Sequence, residues 1–94
     1  MKLQILIPHY KETEHDVKPL LDSIALQQSV DFSEIGAIIC HDGKDIPALN
    51  LMKYPFEVEQ IWQEHKGVSA ARNTCLDHAT ADYIMFCDCD DMFI

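Results

Sequence analysis

Glycine is scarce in this chain. There are three glycines in 94 residues, and none falls in the spacing of a Walker or dinucleotide loop. That excludes a glycine-rich phosphate cradle. Basic residues are few as well: seven Lys and Arg stand against sixteen Asp and Glu, for a net charge of −9. Nucleic acid and anionic membranes need a basic footprint, so both are poor partners. No apolar run reaches membrane-spanning length, and Met1-Lys2 leads into only a short apolar run before Pro8, which is too short for a signal peptide. The four cysteines, at 40, 75, 87 and 89, lack the spacing of a disulfide framework. Neither Cys75-x-x-His78 nor Cys87-x-Cys89 makes the paired spacing of a structural zinc site. Reduced thiols in a cytoplasmic protein are the expectation. No repeat or low-complexity segment is visible.

What is present is ordinary globular composition, 48% hydrophobic and 24% charged, enough for one domain with a modest core. The most informative stretch is the end. Tyr83-Ile84-Met85-Phe86-Cys87 reads as a buried strand and runs into Asp88, Asp90 and Asp91. Three carboxylates this close repel one another unless something positive neutralises them. They are either a solvated acidic turn or the oxygen ligands of a hard divalent cation. Met92-Phe93-Ile94 is apolar and leads nowhere, which suggests the N-terminal part of something longer.

From the start, Lys2 to Ile7 reads as a buried strand stopped by Pro8. Asp16 suits the N-cap of a helix running to about Gln28, with Val17, Leu20, Leu21, Ile24 and Gln28 on one face and Pro19 in the first turn. Ile35 to Cys40 is a second buried strand, ended by a His41-Asp42-Gly43 turn. A short helix is expected over Pro47 to Met52. Phe56 to Trp62 alternates like a half-buried edge strand. Val68 to Ala79 reads as a helix with Val68, Ala71, Cys75 and Ala79 on one face and Leu76 beside it. Strands alternating with helices imply an α/β fold with a mostly parallel four-stranded sheet.

That topology gathers Pro8 to Glu12, Asp42, Lys66 to Arg72 and Asp88 to Asp91 along one sheet edge, where open α/β sheets bind ligands. Asp42 can accept hydrogen bonds from a base or ribose edge, or cap its own Asp-Gly turn. Lys66 and Arg72 can pair with phosphates, or form a solvated basic face. Tyr10 can stack on a base or cover the sheet. His9, His41 and His65 read as ordinary loop histidines rather than metal ligands, and Trp62 as packing.

Four segments together resemble family 2 glycosyltransferases. Leu6-Ile7-Pro8-His9-Tyr10-Lys11-Glu12 is similar to that family's opening strand and loop, and Ile38-Ile39-Cys40-His41-Asp42-Gly43 to its second strand end. His65 to Leu76 resembles its "NxGxSxARNxG" segment, and Asp82 to Asp91 its strand ending in "DSDD". The resemblance implies a Rossmann-like GT-A fold, with residues 1–94 as the nucleotide-diphospho-sugar-binding part, truncated after the DxD motif. It implies a nucleotide-sugar donor, a UDP-sugar in most relatives, and Mn²⁺ or Mg²⁺. By that resemblance Asp90 is the best metal ligand, with Asp88 and Asp91 near the metal or donor sugar. Asp42 matches the acid that reads the base. Pro8, His9, Tyr10 and Glu12 fall in the loop beside the base, and Lys66 and Arg72 lie near the base and phosphates. His9, Lys11, His41 and Cys75 depart from the family's usual Thr, Asn, Asp and Gly.

No residue matches the general base of an inverting transfer. The 94 residues alone are therefore expected to be inactive, with a glycan or lipid-linked acceptor bound by missing regions that can also attach the protein to a membrane. Two rivals remain. Asp88-Cys89-Asp90 also resembles the haloacid-dehalogenase phosphatase opening, with Asp88 as nucleophile and Asp90 as general acid, although that motif ends a first strand and here ends the fourth. The chain can also be a binding module that pairs with a second copy as a homodimer.

Overall fold

A computed structural model of the chain describes residues 2–10, 14–27, 31–51 and 53–88. Its elements are β1 (Leu3–His9), α1 (Glu14–Ala25), a short 3₁₀ turn (Phe32–Glu34), β2 (Ile35–Asp42), β3 (Glu57–Gln63), α2 (Val68–His78) and β4 (Tyr83–Phe86). The four strands form one parallel sheet in the order β3-β2-β1-β4. The chain thus steps outward from β1 through β2 to β3, then returns across the sheet to the far side of β1.

Strand periodicity assigns the two helices to opposite faces. Ile5, Ile7, Ala37 and Ile39 point to one side and pack on Val17, Leu20, Leu21 and Ile24 of α1. Burying four such side chains contributes roughly 1.5–3 kcal/mol each. Leu6, Ile38 and Cys40 point to the other side and meet Ala71 and Cys75 of α2. The small Ala71 and Cys75 side chains let that helix lie close to the sheet. Because β1 has neighbours reached over opposite faces, the crevice between the carboxyl ends of β1 and β4 is the topological switch point of the sheet.

Pro8 shapes that crevice. Contrary to expectation it does not stop β1, which stays paired with β2 through His9 opposite His41. It ends the ladder on one side alone. The N–H of Cys87 donates to the Leu6 carbonyl at 3.1 Å. The next rung on that side needs a backbone N–H from residue 8, which proline lacks. β4 therefore leaves β1 here, and Asp88 follows at once.

Other expectations are corrected. Helix α1 begins at Glu14, so Asp16 lies inside it, and Pro19 sits in the second turn, where it cannot donate to the His15 carbonyl. Strand β2 runs through His41 and Asp42, and the turn starts at Gly43. No helix forms over the described residues between Pro47 and Leu51. There the Leu49 N–H and carbonyl bond to the side-chain amide of Gln60, at 2.8 and 3.1 Å, so the segment is pinned to β3. Strand β3 is an edge strand, as expected, starting one residue late at Glu57. Strand β4 is not buried: it is the other edge, and all four of its residues are exposed. On α2, Val68 and Leu76 are exposed, while Ala71 and Cys75 are buried. Gln28 and the chain beyond Asp88 lie outside the described residues.

Candidate functional site

Asp42 closes β2 on the α2 face and is buried. Its carboxylate gathers the loop that leads into α2. One oxygen accepts from the Gln63 side chain at 2.9 Å and the Lys66 N–H at 2.8 Å. The other accepts from the Gly67 N–H and from His65 Nδ1, both at 2.9 Å. Burial pushes this carboxyl up, but the bonds from Gln63, Lys66 and Gly67, with His65 beside them, outweigh it and hold it below its ordinary value. Gln63 is itself oriented by the Thr74 hydroxyl, which donates to its Oε1. Asp42 therefore does not cap its own turn: it ties the β3–α2 loop to the sheet.

His65 sits between two acceptors, the Asp42 carboxylate and the Asp42 carbonyl at 3.2 Å, so Nδ1 carries its proton. Its ring stacks on Tyr10, with centroids 4.2 Å apart and planes 16° from parallel. Pro8, His9, Tyr10, Asp42 and His65 and the start of α2 line a cavity of about 200 Å³. Tyr10 and His65 also line a wider hollow of about 670 Å³ bounded by Gly43–Pro47 and Glu64. The stacked pair thus lines both spaces. A third hollow, of about 450 Å³, lies beside Leu49, Tyr54 and Phe56 and contains none of the expected site residues.

On the α1 face, the register opposing His9 and His41 brings their rings together, Nδ1 to Nδ1 at 2.7 Å. Neither is a loop residue; both are buried. Donor roles follow from the backbone. The Leu49 N–H fixes the Gln60 oxygen as acceptor, so His41 Nε2, 2.8 Å from it, must donate. His41 Nδ1 then accepts, and His9 Nδ1 donates. Burial holds His41 below its ordinary value and the neighbouring His9 adds to this, against the hydrogen bond to Gln60.

At the crevice between β1 and β4, the Arg72 guanidinium bonds Asp88 at 2.8 Å. Arg72 Nε is buried with no hydrogen-bond partner among the described residues. Lys66 reaches Asp42 through its backbone, and its side chain is exposed. Glu12, Asp90 and Asp91 lie outside the described residues. Among the described residues no three His, Cys, Asp or Glu side chains converge as a metal cluster.

The structure thus brings Pro8, His9, Tyr10 and Asp42 together with the start of α2, and pairs Arg72 with Asp88 beside them. Sequence reasoning missed Gln63, Gln60 and the ring of His65 as a wall of the cavity. Two strand glutamines carry no pattern that announces such roles.

A parallel sheet with helices on both faces and a topological switch point between β1 and β4 defines a Rossmann-like α/β unit. Residues 4–94 match the family model "Glycosyl transferase family 2", and the chain belongs to that family. It is 32% identical to glycosyltransferase GlyA of Streptococcus pneumoniae, over 96% of this chain and 13% of that protein. It is 31% identical to the uncharacterized glycosyltransferase YibD of Escherichia coli, over 96% of this chain and 26% of that protein. Its fold matches the crystal structure of S. aureus TarS 1–349 with a TM-score of 0.77 and 26% identity, over 98% of this chain and 28% of that one. The same TarS fragment in complex with UDP-GlcNAc matches with a TM-score of 0.79 and 24% identity, over 98% of this chain and 27% of that one. The fold is therefore the GT-A architecture, and the chain spans well under a third of each of these proteins.

Proposed function

We propose that this chain is the donor-binding part of a glycosyltransferase that binds a nucleotide-sugar, a UDP-sugar first, for inverting transfer to an acceptor hydroxyl. The single observation that carries this reading is the slot at the carboxyl edge, where the Tyr10 ring and the Asp42 carboxylate face one cavity. A planar base suits the ring, and a base N–H suits the carboxylate. Family membership and the UDP-GlcNAc complex of TarS support it.

In this reading the diphosphate lies beside the Arg72–Asp88 pair. Arg72 would bind phosphate oxygens in place of Asp88, with its buried Nε as a further donor. The Asp88 carboxylate, half exposed at the crevice, is a hard oxygen donor. Together with Asp90 and Asp91 it fits Mn²⁺ or Mg²⁺. A bound cation would neutralise the charge that grows on the departing diphosphate. The glycan or lipid-linked acceptor and the general base are assigned outside the described residues.

The test is calorimetric titration of the protein with UDP and ADP, with and without Mn²⁺, on wild type and Tyr10→Ala. Tyr10 is the better target because Asp42 also holds the loop. Uridine-selective binding strengthened by Mn²⁺ is expected, weakened roughly 5- to 140-fold in the variant, the range of a lost base stack. Equal binding of both nucleotides, or none, refutes the reading. A second reading, self-association, is favoured by the exposed apolar residues of edge strand β4. Light scattering separates the two, since a clean monomer refutes self-association.

A further inference from the structure

We infer that His65 is an internal stand-in for the base, and that a nucleotide enters by displacing it. This rests on the nucleotide reading above and adds how the slot is filled before the ligand arrives. Three observations carry it. The His65 ring lies nearly parallel on Tyr10 at 4.2 Å, the geometry a stacked base would take. The same ring gives its Nδ1–H to the Asp42 carboxylate at 2.9 Å, the contact a base N–H would make. And His65, with Tyr10, lines both the cavity of about 200 Å³ and the hollow of about 670 Å³. The smaller space is below the range typical of ligand pockets, roughly 300–1,000 Å³. Swinging the imidazole out removes a side chain that lines both spaces.

Displacement is inexpensive. The His65 side chain is 56% exposed, so its bond to Asp42 is screened by water. The loop does not depend on it, because the Lys66 and Gly67 N–H groups hold Asp42 independently. A base that replaces His65 finds a preformed platform and an oriented carboxylate. The ligand class is a nucleotide whose base presents a ring N–H beside its acceptors, the edge of uracil.

A protein that must first expel its own side chain binds with an apparent affinity reduced by the fraction of open molecules. His65→Ala removes the competitor. UDP titration is expected to show binding about three- to tenfold tighter in the variant than in wild type. A second readout needs no variant. In the free protein the His65 ring protons are shifted by the Tyr10 ring current, and UDP should return them toward solvent values in NMR spectra. Equal or weaker UDP binding in His65→Ala overturns the displacement and leaves the nucleotide reading intact. Ring protons that stay shifted when UDP is bound overturn it as well, since His65 would then remain against the slot. Absence of UDP binding by both proteins overturns the nucleotide reading and the displacement with it.

Discussion

Replacing Asp42 by Asn tests the central geometric claim, that one carboxylate ties the β3–α2 loop to the end of β2. Asn keeps one oxygen, which can still accept from the Lys66 N–H and the Gln63 amide. Its amino group replaces the other oxygen and meets two donors, the Gly67 N–H and His65 Nδ1–H. Hydrogen bonds to a charged group contribute about 1.5–3 kcal/mol each, and donor facing donor adds a desolvation cost. The His65 share is small because that side chain is more than half exposed. The expected loss is about 2–4 kcal/mol. That is a large part of the roughly 5–14 kcal/mol available to a chain of this length. Urea denaturation reads the loss, and hydrogen exchange locates it. The Lys66 and Gly67 amides should lose protection while the β1 and β2 amides keep theirs. A loss under about 1 kcal/mol, with both loop amides still protected, refutes the argument.

Two more outcomes are expected. Gly67 has φ +100°, with nothing within 4 Å of where a Cβ would stand, so Gly67→Ala should cost about 1–2 kcal/mol by backbone strain alone, read from the urea midpoint; an unchanged midpoint counts against the assigned conformation. Stability should also fall in two legs on acidification. His41 is held below its ordinary value of 6.5 and Asp42 below 3.8, so each contributes stability that is present above its ordinary value and lost as pH falls through its folded one. The first loss should begin below about pH 6.5 and the second below about pH 3.8. Urea midpoints that rise between pH 7 and pH 5 would refute the sign, and Asp42→Asn should flatten the second leg.

Much of this was legible in the residues because the signals are local. Val17, Leu20, Leu21 and Ile24 repeat at helical spacing and are all buried on one side of the sheet. Ala71 and Cys75 mark the buried face of α2 in the same way. Misreadings came where a tertiary partner overrode a local rule. Pro8 looked like a strand stop, yet its missing N–H faces the side where β4 departs, so pairing with β2 continues. The segment from Pro47 looked helical, but the Gln60 amide takes the Leu49 N–H and carbonyl and ties it to β3 instead. The run from Tyr83 to Phe86 looked buried on hydrophobicity, but its place at the sheet edge leaves it exposed.

The order of strands and helices, the family and the set of polar residues at the strand ends were determined by the sequence alone, since periodicity and motif spacing are properties of neighbours along the chain. The partners of those residues were decided by the tertiary structure. Whether Asp42 faces a ligand or its own loop, whether His41 opposes His9, and whether Arg72 meets Asp88 depend on strand register and on the face each helix covers. Those are set by packing between segments tens of residues apart, which no local pattern records. His65 shows the difference most plainly: an ordinary loop histidine in the sequence, it becomes in the fold the ring that fills the slot.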